Sequence, residues 1–274
     1  MSVQPTIAIV GQGRVGSALT RRLTAAGLVV TCIDRQSYPE WFNQPQTDVV
    51  ILALHEHHLF AVATDPQAQA HCSSSLVVHV HGLSGPDVIA ELSPRAAAAH
   101  PFQTFGVDDP AMLDGIAWGV ELSASCTHDD WVVLSDLLQR IDGRPVRLPA
   151  MTTQSRMRYH ASAVAASNVV YAAYALAREL ARDVNIDPST FLVPIIQQTT
   201  RNAVQAIEQH EPFAITGPMA RGDVRAVIEQ LEALPESLQP LYRHLAMALL
   251  EALGEHLSEE QRIQLRRVLL EEMR

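Results

Sequence analysis

Thr6-Ile7-Ala8-Ile9-Val10-Gly11-Gln12-Gly13-Arg14-Val15-Gly16 decides how this chain folds. A short apolar run ends in three glycines spaced G-x-G-x-x-G, and residues 15–26 then carry the periodicity of a helix. The glycine spacing alone is weak, because chance supplies it often. Its place between a strand and a helix is the context the chemistry requires. The first glycine permits a tight turn, and the second lets the backbone approach a pyrophosphate. The third lets the helix pack closely on the strand. Phosphates would then rest on the free N–H groups at the helix N-terminus, cradled by Gly11, Gln12, Gly13, Arg14, Val15 and Gly16.

Asp34 closes the next apolar run, residues 28–33, and lies 18 residues beyond Gly16. An acidic side chain there accepts hydrogen bonds from adenosine ribose hydroxyls, which mildly favours NAD over NADP. Arg35 follows at once and could instead meet a 2′-phosphate.

Outward from this turn, further strands are expected at 48–54, 76–80, 96–100, 116–122 and 145–148, with a helix at 129–141. Continuous apolar strands alternating with helices predict a parallel sheet covered on both faces. After Leu148 the character changes. Residues 158–183 read as one long alanine-rich helix, uninterrupted by Gly or Pro, and further helices are expected at 189–209, 223–234, 238–257 and 259–273. Asp187-Pro188 and Ser258 mark two of the starts. The predicted fold is therefore α/β: an N-terminal Rossmann domain over 1–150, then an all-helical domain over 151–274.

The 274 residues carry a formal charge of −10, and no basic run offers a face to a polyanion, which argues against nucleic acid. All 20 basic residues are arginine. A mechanism needing a lysine as general acid or Schiff-base former is excluded. Cys32, Cys72 and Cys126 are odd in number and widely spaced, implying neither a disulfide framework nor a thiolate zinc site. No signal peptide is expected, and no apolar run nears the ~20 residues of a membrane span, so a cytoplasmic location is expected.

Several stretches carry a family likeness: His79-Val80-His81-Gly82, His100-Pro101-Phe102-Gln103-Thr104-Phe105, Tyr159-His160-Ala161, Ser167-Asn168 and Thr216-Gly217-Pro218-Met219-Ala220-Arg221-Gly222-Asp223. With the glycine turn they make the chain resemble the 6-phosphogluconate-dehydrogenase-like group of Rossmann proteins. More narrowly, it is similar to proteins that join a Rossmann-like domain to a helical domain of unknown function. Related reductases include ketopantoate reductases, pyrroline-carboxylate reductases and deazaflavin-dependent NADP oxidoreductases. The resemblance implies a nicotinamide cofactor, a cleft between domains and a homodimer formed through the helical domain. Hydroxyacid dehydrogenases and ketopantoate reductases of the group place a lysine on the long helix as proton donor. Here another group must do so, or the substrate is an imine that arrives protonated.

His100, at a strand's carboxyl end, and His160, on the long helix, are the candidate proton donors; each has a packing role as its alternative. Asn168 is expected two turns beyond His160 on the same helix face, where it would orient substrate or carboxamide. Arg221 is a candidate clamp for a substrate carboxylate, and Asp223 a helix cap. His55, His57, His58, His79, His81 and His100 all follow strand ends, but their spacing matches no metal motif, so no metal is expected. The chain reads as an NAD(P)-dependent oxidoreductase acting on a small oxo acid, imine or related metabolite. The alternative is a redox sensor that binds the dinucleotide without turnover.

Overall fold

The glycine turn follows a strand because residues 7–10 are all buried and β-branched or small. The computed structural model describes residues 4–106 and 110–270. Its first compact unit, residues 1–167, runs β1 (Ile7–Val10), α1 (Arg14–Ala25), β2 (Val30–Ile33), α2 (Tyr38–Trp41), β3 (Val49–Leu52), α3 (Glu56–Ala63), α4 (Pro66–Cys72), β4 (Leu76–His79), β5 (Ala96–Pro101), β6 (Ala117–Leu122), α5 (His128–Arg140), β7 (Arg144–Arg147) and α6 (Thr153–Ala166). The strands form one sheet in the order β2-β1-β3-β4-β5-β6-β7. The chain leaves β1 to one side for β2 and to the other for β3. That reversal opens a crevice at the strands' carboxyl ends, where such sheets bind ligands.

Alternation along each strand divides the core in two. Ile7, Ile9, Val49, Ile51, Val78 and Ala99 face Leu19 and Leu23 of α1 and Leu134 and Leu137 of α5. Ala8, Val10, Val50, Leu52 and Val77 face Leu59 and Val62 of α3 and Ala68 and Cys72 of α4. Each fully buried Leu, Ile or Val contributes about 1.5–3 kcal/mol. This two-sided burial is why the strands read as unbroken apolar runs.

One pairing departs from the all-parallel expectation. β5 and β6 run antiparallel, with His100 opposite Gly119 and Ala98 opposite Glu121. A parallel partner needs a crossover helix. Among the described residues, the segment between these strands holds only a 3-10 turn at Pro110–Leu113. The chain thus returns directly, and the sheet face beneath β5 and β6 is left for α6. Arg156 of α6 reaches Glu121 of β6 with both terminal guanidinium nitrogens, at 2.5 and 3.2 Å, and both side chains are buried. Met151 closes the network: its N–H donates to Glu121 and its carbonyl accepts from Arg156.

That anchoring moves the division between compact units. The sequence placed it near residue 150, whereas the units divide between Ser167 and Asn168, because α6 packs with the sheet. The expected single helix over 158–183 is also interrupted. α6 ends at Ala166, residues 167–169 form a turn, and α7 (Val170–Asp183) begins anew. The Ser167 hydroxyl donates to the Ala163 carbonyl at 2.7 Å. Serine and asparagine compete in this way for backbone groups, so a helix can break without Gly or Pro.

The second unit, residues 168–274, continues from α7 through α8 (Pro188–Gln209), α9 (Pro218–Arg221), α10 (Val224–Ala233), α11 (Gln239–Leu253) and α12 (Glu259–Leu270). Its core joins Val227, Leu231, Leu250, Leu253, Leu265 and Leu269 from the last three. Asp187 and Asp223 cap α8 and α10 through backbone N–H groups, and Ser258 exchanges bonds with Gln261 at the start of α12. The expected extension of α12 to residue 273 lies outside the described residues.

Replacing Arg156 by Met leaves the Glu121 carboxylate buried without its partner. Removing one member of such a pair costs about 3–5 kcal/mol. Trp41, Trp118 and Trp131 all lie in the first unit, so urea unfolding followed by tryptophan fluorescence reads that unit alone. A loss well under 1 kcal/mol would show that the pair anchors nothing.

Candidate functional site

The glycine turn is built by exclusion of side chains. Gly11 has φ +99°, a region that favours glycine, and a Cβ there would strike the Ala53 carbonyl. A Cβ on Gly16 would strike the Gly11 carbonyl, so the start of α1 can press onto β1 only as glycine. Gly13 is different. Space around it is open, leaving the backbone accessible to a ligand. Gln12 accepts from the Ser17 hydroxyl, Arg14 donates to the Phe105 carbonyl at 3.0 Å, and Val15 packs against the core.

A cavity of about 650 Å³ lies on one side of this turn, lined by Gly11, Gln12, Asp34, Arg35, Tyr38 and His58. A second, of about 440 Å³, lies on the other, lined by Gly13, Arg14, His55, His81, Gly82 and His100. Leu54 borders both. One oxygen of Asp34 accepts from the N–H groups of Gln36 and Ser37 and from the Ser37 hydroxyl. The Ser37 bonds, followed by that of Gln36, hold this carboxyl below its ordinary range, so it is ionised.

Sheet register assembles the rest. Leu52, His79, Ala98 and Glu121 form one row across β3 to β6. Two residues on, His100 and Gly119 are partners in the next row, on the same face. Arg156, Tyr159 and His160 lie at i, i+3 and i+4 of α6, one stripe laid over these rows. The Tyr159 hydroxyl meets Nδ1 of His100 at 3.1 Å, and the rings of His100 and His160 lie 6.0 Å apart. Two glycines make this possible. A Cβ on Gly119 would strike the Tyr159 hydroxyl, and one on Gly82 would come within 2.7–2.8 Å of both His100 and His160.

The imidazoles have distinct duties. His79 is fully buried. Its Nε2–H donates to the Gly85 carbonyl at 2.8 Å, and Nδ1 accepts from the His81 N–H, so the ring is structural and neutral. Burial pushes its pKa down to about 4. His81 donates from Nε2 to the Leu54 carbonyl. His100 is also pushed to about 4, first by burial and then by His160 and His81 beside it. Burial raises the Tyr159 hydroxyl, which keeps its proton. The arrangement offers neutral hydrogen-bond donors beside the smaller cavity.

The fold thus brings His100 and His160 together with Tyr159 and Gly82, which the sequence offered only as members of family-like stretches, and adds Arg156, Glu121 and Gly119, which sequence reading did not single out. The R-x-x-Y-H spacing on α6 and the lone Gly119 inside a strand were the available signals. Asn168 lies in the turn after α6 and opens the second unit, so it is not on the helix face of His160. Arg221 is exposed at the end of α9. His55 precedes α3 as its cap residue, and His57 and His58 lie in that helix's first turn. Among the described residues, no three His, Cys, Asp or Glu side chains form a group able to hold a metal ion.

Residues 120–249, spanning Glu121, Arg156 and Tyr159, match the family described as "Domain of unknown function (DUF2520)". No curated protein matches the sequence. Among solved structures, it is similar to a provisionally assigned NADP oxidoreductase from Bacteroides fragilis, with 22% identity, 90% of this chain and 98% of that one covered, and a TM-score of 0.69. It is also similar to an imine reductase from Myxococcus stipitatus in complex with NADP+, with 15% identity, 92% and 93% covered, and a TM-score of 0.61. A third is pyrroline carboxylate reductase from Plasmodium falciparum with NADP bound, at 12% identity, 95% and 98% covered, and a TM-score of 0.56. These likenesses confirm a Rossmann-type unit followed by helices. No described helix is long and apolar enough to cross a membrane.

Stability should respond to the buried imidazoles. Unfolded histidine titrates near pH 6.5, so between about pH 6.5 and 4 the unfolded chain binds protons that folded His79 and His100 refuse. Stability therefore falls as pH falls through that window. His79 alone accounts for a loss on the order of 3 kcal/mol. Urea midpoints at about pH 7 and about pH 4.5 measure the slope. His79→Gln should flatten it by roughly one proton; an unaltered slope would mean the His79 ring is not kept neutral by the fold.

Proposed function

We propose that the protein is a cytoplasmic NAD(P)-dependent oxidoreductase that passes a hydride to or from a small oxo acid, imine or related metabolite. One observation carries the reading: two cavities flank an intact phosphate-binding turn at the carboxyl edge of the sheet, with ionised Asp34 on one side and His100 on the other. The glycines fit a dinucleotide, since the Cβ atoms that would block its approach are missing and Gly13 is open. A bound nicotinamide supplies or takes up the hydride. Gly11 to Gly16 would hold its phosphates, and the free oxygen of Asp34 would accept from a ribose hydroxyl, which favours NAD. Arg35, lining the same cavity, is the residue that would serve a 2′-phosphate.

On the chain's own side, His100 and His160 provide the polar groups at the reacting end. Asn168 is proposed to orient substrate, and Arg221 to bind a substrate carboxylate through its fork. Titration with NADH and NADPH, followed by nicotinamide fluorescence, tests the reading. Binding of either supports it, with NADH expected to bind more tightly. Binding without turnover of any oxo acid or imine would favour a sensor, and no binding would end the assignment.

The second unit is proposed to form a homodimer. In α8, a helix of 22 residues, only Ala206 is buried, while Phe191, Ile195 and Ile207 are 58–64% exposed. Apolar side chains exposed so extensively on one helix mark an association surface. The native protein should elute as a dimer with its mass fixed by light scattering, and Phe191→Asp with Ile195→Asp should yield a monomer. A monomeric parent would remove the proposal.

A further inference from the structure

Tyr159 stands behind His100 rather than in the cavity. The smaller cavity is lined by His100, while the Tyr159 hydroxyl bonds the nitrogen on the ring's other side. The sequence spends two glycines on this geometry. Gly119 clears the space that the hydroxyl occupies, and Gly82 lets Nε2 of His100 lie close against the backbone beside the cavity. Phe102 packs on both rings, 5.9 Å from His100 and 5.2 Å from Tyr159, and holds them in register. Imidazole nitrogen is the better base and phenol the better acid, so in this bond the hydroxyl donates and Nδ1 accepts. A neutral histidine has one N–H, and the other nitrogen's bond decides which.

We propose that Tyr159 is a positioning residue that donates to Nδ1 of His100, fixes the tautomer with Nε2–H toward the cavity, and thereby makes His100 the proton donor of the reaction. The inference rests on the reductase reading above for the final transfer, though not for the tautomer. A bound reduced nicotinamide would supply the hydride; on the chain's own side, the Nε2–H bond of His100 would break and its proton would pass to the substrate oxygen or nitrogen. In the same step the Tyr159 O–H bond would break and its proton would form a new Nδ1–H bond. The phenolate left behind would then take a proton from bulk water, the hydroxide passing to solvent as the one solvent proton that the reduction consumes. Charge balances at each stage, and His100 never becomes an imidazolate.

This relay fills the place that lysine leaves vacant in a chain without one. It also separates the two candidate histidines. His160 flanks Gly82 with a ring carbon and does not line the smaller cavity, whereas His100 does so and has a hydroxyl behind it. The titratable groups facing His100 are His79, His81, His160 and Tyr159. Burial first, and then His160, His81 and His79 beside it, disfavour a positive charge on His100, which suits a neutral donor better than an imidazolium.

Nitrogen-15 NMR of the histidine rings in the whole protein tests the tautomer without substrate or cofactor. The expected result is an His100 signal pair with Nε2 protonated and Nδ1 an acceptor. In Tyr159→Phe, which keeps the aromatic packing, that preference should be lost while the urea midpoint is retained. A protonated Nδ1 in the parent, or an unchanged tautomer in Tyr159→Phe, overturns the proposal. For turnover, Tyr159→Phe should lower kcat by about 100-fold with KM within roughly twofold. Unchanged kcat would overturn the donor role. Gly119→Ala, which displaces the hydroxyl rather than deleting it, should give the same tautomer loss. Should neither NADH nor NADPH bind, the reductase reading fails and the donor role with it, while the NMR result still decides the tautomer.

Discussion

Glu121 and Arg156 face each other with both terminal guanidinium nitrogens on one carboxylate, away from water, and much of the first unit is arranged around keeping them there. Taking two ions out of water is expensive, and their attraction offsets that cost only when geometry and further hydrogen bonds are good. The Met151 backbone supplies those bonds. Gly85 supplies room, since a Cβ there would come within 2.5 Å of the guanidinium. The pair sets α6 at one height and rotation above the sheet, and Tyr159 and His160 reach His100 as a result. The Gly85 carbonyl also accepts from His79, so the anchor and the buried imidazole share one loop.

Space matters here as much as attraction. The phosphate turn, the contact between His100 and His160, and the seat of the Tyr159 hydroxyl each depend on a missing Cβ. The antiparallel return from β5 to β6 adds to this by leaving a sheet face free of a crossover helix. α6 occupies it, bringing polar side chains where a crossover helix would bring leucines. A parallel α/β sheet is thereby adapted at one edge to hold an aromatic and imidazole cluster.

Much of this was legible in sequence. The glycine turn, Asp34 and the strands could be read because two-sided burial writes itself as apolar runs, and because glycine spacing has a steric cause. The direction of β6 could not, since apolar content is the same for either orientation and only the connection decides. The break after Ala166 was hidden because Ser167 acts through a local bond rather than through a Gly or Pro signal. Glu121 and Arg156 are distant in sequence and look like ordinary surface charges until the register pairs Glu121 with Ala98 and hides it. Tyr159 stood beside a candidate histidine, but its importance comes from what Gly119 lacks, on a strand forty residues away.

The pairing of β5 with β6 carries a final consequence for misfolding. Side chains alternate between faces, so a slip of β6 by one residue would turn Glu121 and Gly119 to the opposite side together. Arg156 would lose its partner, and Tyr159 its seat, in one event. Trp118 and Val120, buried on the first face, would arrive under α6 in their stead. A one-residue slip cannot keep the anchor while losing the site. Inactive molecules of that kind would also be unstable ones, exposed to proteolysis rather than persisting as a folded but silent population.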